Sequence, residues 1–386
     1  MHTVSDIVSS KIESYCRTWR MELEDANSII AGDKIVSASS TAQSTSISDD
    51  IELGAVCSQS WQLSIADSSE KFLGKEYDLS LYLVDYSHGE TTYSTLESYT
   101  YAELSKLTVE QISKLGEVLD GERIPLGRFT CVKSKKSGGN TEVTFADRLY
   151  FSDKVYKPSV TLPAWSKAIE DDICKQLGLQ NGNDYTKPAK LRVKGGARLY
   201  GKGHIRLKTA NFDFKINAVP KDTTMRQMLS YIASAQGEFG YVDRFGRYVR
   251  KWYGRPVKLL DNNTIDLPTL SERQNVIVGI VCKVSDSQTL RLGNTTGSTG
   301  RVLEFENPYM TSSLLQSLWH RIQGFSWYTT ELFHRLGDPR FDIGDVVTYD
   351  SGADTYDIPI TNLGFNFDGG LSADISAVGL SVEEQL

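Results

Sequence analysis

The 386-residue sequence is poor in cysteine and histidine, and the few it has are dispersed. Its five cysteines, Cys16, Cys57, Cys131, Cys174 and Cys282, show no CxxC spacing, which argues against a zinc knuckle and against a disulfide framework. The five histidines, His2, His88, His204, His320 and His334, form no cluster, so the sequence offers no metal centre. No apolar run approaches the roughly 20 residues of a membrane-spanning helix. Residues 1–20 lack the apolar core of a secretory signal, and the chain is expected to be made and folded in a cytosol. A coherent nucleophile, base or acid pair is missing too. No catalytic, cofactor or metal residue is assigned, and a non-enzymatic role is expected.

What remains is an ordinary globular composition, 40% hydrophobic and 24% charged, in a chain long enough for two to four domains. The net charge of -7 hides an uneven distribution. Lys187 to Lys258 holds seventeen Lys and Arg against four Asp and Glu, whereas Gly337 to the end holds ten acidic residues and one basic, Arg340. This asymmetry predicts different surfaces for different partners.

The densest strand-and-turn grammar lies between Gly337 and Gly379. Val346 to Tyr349 reads as a β-branched and aromatic strand, the polar run from Asp350 to Asp354 as a turn, and Tyr356, Ile358 and Ile360 as the returning arm. Leu363, Phe365 and Phe367 alternate up to Asp368, Gly369 and Gly370, where glycine permits a tight hairpin, and Leu371, Ala373, Ile375 and Ala377 alternate down.

Upstream, residues 1–156 read mainly as strands. Ile51 to Ala66, Tyr77 to Tyr86, Arg128 to Lys133 and Glu142 to Phe145 carry the signals, with a helical insertion at about 98–119 capped by Thr108 and Gln111. Ser37 to Ser48 is by composition either a flexible linker or a polar strand pair. Residues 157–260 mix helix and strand. Pro163 is expected to open a helix that Gly178 closes, and His204 to Ile216 is expected to be a strand. Thr224 and Gln227 make a capping box for a helix ending at Gly237, followed by a hairpin turning at Asp243 to Gly246. Residues 261–386 return to strands, including a buried one at Val276 to Val284, around a helix at about 311–323.

In order, PLGRF, TFADRLYF, the helix and hairpin of TMRQMLSYIASAQGEFGYVDRFGRYVRKW, GDVVTY and FDGGLSA resemble the barrels and intervening α+β domain of phage baseplate hub proteins. The same module forms the N-terminal hub part of tail-associated lysins. The resemblance implies a mainly β chain with α+β insertions, in which two β-barrel domains flank a smaller α+β domain. It also implies a homotrimer at the virion tail tip or baseplate, docked to a distal tail or tail tube protein and to a tape measure or tip/spike protein. DNA would pass through its channel without specific binding. The rivals are a tail-associated cell-wall hydrolase, for which no domain is expected beyond Leu386, and a carbohydrate-binding adhesin module.

Several patterns invite chemistry. Gly196 to Gly203, GARLYGKG, has phosphate-loop spacing, but Gly203 replaces the magnesium-binding hydroxyl and a strand follows where a helix should, so it reads as a hairpin turn. Asp49 with Asp50 and Asp171 with Asp172 are neighbours and do not face each other across a sugar-sized cleft; the latter pair is expected on a solvated helix face. Asp338, Asp342 and Asp345 miss the spacing of a calcium loop. They read as turn and strand-end carboxylates, and with Asp357 they are either turn caps or, given the resemblance, residues on or near the channel, where an acidic lining lets DNA slide. Tyr200, Phe212, Phe214, Tyr241, Phe245, Tyr248 and Trp252 interleave with cations, as in single-strand nucleic-acid binders, but are read as core aromatics beside solvent-facing cations.

Overall fold

A computed structural model describes residues 1–13, 18–25, 29–30, 33–41, 43–48, 50–66, 70–84, 123–183, 185, 213–260, 265–296 and 300–379. The insertion expected at 98–119, the GARLYGKG stretch, Asp49 and most of the strand expected from His204 lie outside them.

The first section runs α1 (Asp6–Ile12), β1 (Thr18–Glu24), β2 (Ile29–Ile30), β3 (Ile35–Ser40), β4 (Gln43–Ser44), β5 (Ser60–Ala66), β6 (Glu76–Val84), β7 (Ile124–Ser137) and β8 (Asn140–Ala146). β5 shows why alternation becomes a sheet. Trp61, Leu63 and Ile65 are buried while the residues between them are not, and Trp61 and Leu63 meet Phe145 and Val143 on β8. The Ser-rich stretch from Ser37 is strand in its first part rather than a linker: β3 pairs with β5 and β23, and β4 with β23.

The middle section runs β9 (Ala164–Trp165), α2 (Ser166–Leu177), β10 (Gln180–Asn181), β11 (Lys215–Ile216), α3 (Met225–Gln236), β12 (Phe239–Val242), β13 (Arg247–Lys251) and β14 (Pro256–Leu260). α2 starts three residues after Pro163, because Ala164 and Trp165 pair with β11 first. The capping box of α3 is formed in full: Gln227 N donates to Thr224 Oγ1 at 3.1 Å and Thr224 N to Gln227 Oε1 at 2.9 Å. Gly237 ends α3 with φ 66°, and a Cβ there would come within 2.4 Å of Leu318 Cδ1.

The last section runs β15 (Thr269–Leu270), β16 (Asn275–Ser285), β17 (Gln288–Gly293), β18 (Arg301–Glu306), α4 (Ser312–Ile322), β19 (Ser326–Trp327), β20 (Thr330–His334), β21 (Val346–Asp350), β22 (Thr355–Pro359), β23 (Asn362–Phe367) and β24 (Leu371–Ala377).

The first and last sections share one 12-stranded sheet. Its path runs β15, β20, β24, β23, β3, β5, β8, β7, β6, β1, β2, with β4 also on β23. The seam is antiparallel: Phe367 lies opposite Ala38 and Asn362 opposite Ser44, and Phe365 N donates to Ser40 Oγ at 2.7 Å. The fold is therefore mainly β, and among the described residues the path stays open, with β15 and β2 at its ends and no closed barrel. One large apolar core follows the sheet, and a second gathers α2 and α3 around Ile169, Ile173, Met228, Leu229 and Ile232.

Candidate functional site

The loop at 337–345, between β20 and β21, is where the three sections meet. Two glycines let it turn: Gly337 has φ 54° and Gly344 φ 74°. A Cβ on Gly344 would lie 2.4 Å from Phe239 Cζ, so the loop packs directly on β12. Gly344 N donates to Ile360 O at 2.7 Å and Ile360 N to Asp345 O at 2.8 Å, fixing the exit into β21.

Three of the four acidic residues singled out in the sequence come together here, each matched to a cation of the basic middle section. Asp338, 1% exposed, receives Lys258 Nζ at 2.8 Å and Arg340 at 2.7 and 2.9 Å. Burial alone would raise its pKa, but Arg340 and Lys258 outweigh burial and hold the carboxyl far below the usual carboxylate range. Asp342 receives Arg244 Nη2 at 2.7 Å and Nε at 3.1 Å; burial again opposes, yet Arg244 and then Lys251 keep its pKa low. Asp345 pairs with Lys251 Nζ at 3.4 Å and with the terminal amino group of Met1 at 2.6 Å. Asp357 is apart from them. It stands exposed on β22 and accepts Thr348 Oγ1 at 2.7 Å.

Arg244 is the residue that ties the sections together. It projects from the β12–β13 turn, its side chain is 7% exposed, and besides Asp342 it donates to Pro125 O at 3.1 Å, Pro339 O at 2.9 Å and Phe341 O at 3.0 Å. One guanidinium thus joins strand β7 of the first section to the loop of the last. From the other side, Arg340 reaches α1, pairing with Glu13 at 3.4 Å and donating to Ser9 Oγ, while His2 N donates to Arg340 O at 2.7 Å.

A second buried cluster joins the middle section to α4. Arg250, its side chain 4% exposed, donates to Glu170 Oε1 at 2.6 Å and Glu238 Oε2 at 2.7 Å, and Arg321 of α4 completes the cluster at 3.3 Å from Glu238. The expectation of solvent-facing cations beside core aromatics is thus half corrected. Tyr241, Tyr248 and Trp252 are core, Phe245 is exposed, and the side chains of Arg244 and Arg250 are shielded from solvent because each has carboxylate partners. Asp172 is corrected as well. Asp171 is solvated and pairs with Lys167 at 2.6 Å, but Asp172 is buried and accepts Tyr156 OH at 2.7 Å and Ser159 N at 3.0 Å. Burial would raise the Asp172 carboxyl, and the hydrogen bonds from Ser159, Tyr156 and Gln176 lower it instead.

In the loop every buried charge has its opposite, which offsets the cost of taking these charges out of water. No group of three His, Cys, Asp or Glu suited to a metal occurs among the described residues. A cavity of about 20 Å³ adjoins Arg244 and Asp342, and a shallow depression of about 430 Å³ lies on the outer sheet by Ser58, Lys133, Thr144 and Tyr150. Spacing could not have found Arg244, Arg250, Glu170 or Glu238. The opposed charge of the middle and last sections was the available signal.

No protein-family model and no curated protein matches the chain. Solved structures of tail proteins do resemble it. The 43 kDa tail protein of prophage MuSo2 from Shewanella oneidensis covers 93% of this chain and 98% of its own, with a TM-score of 0.50 and 11% identity. A tail protein from Neisseria meningitidis MC58 covers 93% of this chain and 96% of its own, with a TM-score of 0.53 and 11% identity. The chain has the fold of these tail proteins.

Proposed function

We propose that the chain is a structural baseplate hub or distal tail tip protein of a phage or phage-like particle. It forms a trimeric ring, joins the tail tube to the tip and gates the channel for DNA delivery. The observation that carries this reading is the extent of the likeness, which spans 93% of the chain and nearly all of two tail proteins, one of them from a prophage. Residues 1–156 and 261–386 would each supply a barrel-like docking unit, so that three chains offer six to a tube of six-fold symmetry. The middle section, clamped through Arg244 and Arg250, would hold the two units at a fixed spacing. On one side the ring would meet a distal tail or tail tube protein, and on the other a tape measure or tip/spike protein. The chain acts without catalysis, is made in the host cytoplasm and resides in the virion tail tip.

Of the four acidic residues assigned to the channel, exposed Asp357 is the member with charge to spare for a lining that repels DNA. Asp338, Asp342 and Asp345 spend theirs on Lys258, Arg340, Arg244 and Lys251. Light scattering and negative-stain imaging of the purified chain, alone and with the tube protein, test the assembly. A three-fold ring with a central opening is expected in at least one of the two conditions, and a monomer in both overturns the hub reading.

A further inference from the structure

We propose that the cavity where the three sections meet is a binding site for one ordered water molecule, which joins the Trp61 indole N–H to acceptors among Gln43, Gln59 and Asp342. The cavity, about 20 Å³, is walled by Gln43, Gln59 and Trp61 from the first section, Arg244 from the middle and Asp342 from the last, with apolar side chains among the rest of its lining. A buried water needs roughly 10–15 Å³ and two to four polar partners. The volume suits one water.

The polar partners are present, and their hydrogen-bonding capacity is unspent. Trp61 is fully buried, and its indole Nε1 has no hydrogen-bond partner among the described residues. Gln59, also buried, commits its backbone N–H to Asp147 at 2.7 Å, while its side-chain amide makes no hydrogen bond among the described residues. Gln43 donates through Nε2 to Val242 O at 3.4 Å, which leaves its Oε1 to accept. Asp342 takes both Arg244 hydrogen bonds on Oδ1, leaving Oδ2.

A water oxygen accepts the Trp61 N–H, and its two hydrogens serve two of the three free acceptors: Gln43 Oε1, Gln59 Oε1 and Asp342 Oδ2. An indole N–H is a donor with no lone pair to offer, which disfavours a bare cation in the same place. Buried polar groups left without partners are rare in folded proteins, and a water is the species of this size that satisfies a donor and two acceptors at once.

The test uses the whole chain. A crystal structure at a resolution that shows ordered solvent should carry a peak within about 3.2 Å of Trp61 Nε1 and within the same reach of at least one of Gln43, Gln59 and Asp342. An empty cavity, or a Gln43 or Gln59 side chain swung onto the indole N–H, overturns the proposal. In solution, water relaxation dispersion should count one fewer long-lived water in Trp61→Phe than in the parent chain, and an unchanged count also overturns it. If Trp61→Phe fails to fold, the crystallographic result on the parent chain decides alone.

Discussion

Removing the Arg244 side chain should separate the three sections energetically. In Arg244→Ala the Asp342 carboxylate loses both charged hydrogen bonds, and three backbone carbonyls, Pro125 O, Pro339 O and Phe341 O, lose their donor. Breaking a buried ion pair by deleting one partner costs about 3–5 kcal/mol, because the survivor keeps its desolvation penalty. Asp342 is 26% exposed, so water can partly re-solvate it, and the lower half of that range is the sensible expectation, about 3 kcal/mol. The three carbonyls add to this only where water cannot reach them.

The assay is urea unfolding followed by tryptophan fluorescence, with amide exchange at 337–345 as a local reading that does not assume one cooperative transition. Arg244→Ala should lower the midpoint and speed exchange in the loop and in β12. Asp342→Asn should cost less, and the double variant should cost little more than Arg244→Ala alone, since the shared interaction is already gone. A loss below about 1 kcal/mol, or strictly additive single variants, would refute the view that this guanidinium clamps the sections.

Other expectations concern single groups. Asp147 is buried, accepts Gln59 N at 2.7 Å and Leu149 N at 2.9 Å, and burial raises its pKa to about 7 against those hydrogen bonds. A raised folded value means its favourable contribution is complete below the unfolded value of about 3.9 and is lost as pH rises through about 7. Relative to Asp147→Asn, the parent chain should lose stability between pH 4 and pH 7, as read by melting temperature, and parallel profiles would contradict this. Asp338 has the opposite sign. Its lowered pKa means stability present above the usual carboxylate range and lost as pH falls below about 4, a loss that Asp338→Asn should abolish in acid unfolding curves. Gly344→Ala puts a Cβ 2.4 Å from Phe239 Cζ at φ 74° and should cost about 1–3 kcal/mol, measured by urea midpoint. Asp357→Lys, on an exposed site, should leave folding within about 0.5 kcal/mol of the parent while slowing DNA ejection from assembled particles. Unchanged ejection would remove Asp357 from the channel.

Local signals did most of the work that sequence alone can do. Alternation at Trp61, Leu63 and Ile65, or at Leu371, Ala373, Ile375 and Ala377, sets which residues face the core, because a strand repeats every two residues whatever surrounds it. The Thr224 and Gln227 capping box, the glycine stops at Gly178 and Gly237 and the helix near 311–323 are equally local, and the structure has them. The Ser-rich stretch at Ser37 could not be assigned that way. Its strands exist because β23 and β5 are there to pair with, 325 residues apart from Ser40 in the case of Phe365. Asp172 looked like a solvated partner of Asp171 because the sequence does not show that Tyr156 and Ser159 fold over it.

The candidate site divides along the same line. The sequence by itself determined that the middle of the chain is basic and its end acidic, and it singled out Asp338, Asp342 and Asp345. Only the tertiary structure decided that these charges answer one another, Lys258 with Asp338 at a separation of 80 residues and Arg244 with Asp342 at 98. Charge is a property of a residue and can be read from the sequence. Whether that charge is spent inside the protein or offered to a partner depends on which residue of opposite sign lies within about 4 Å, and chain folding sets that distance.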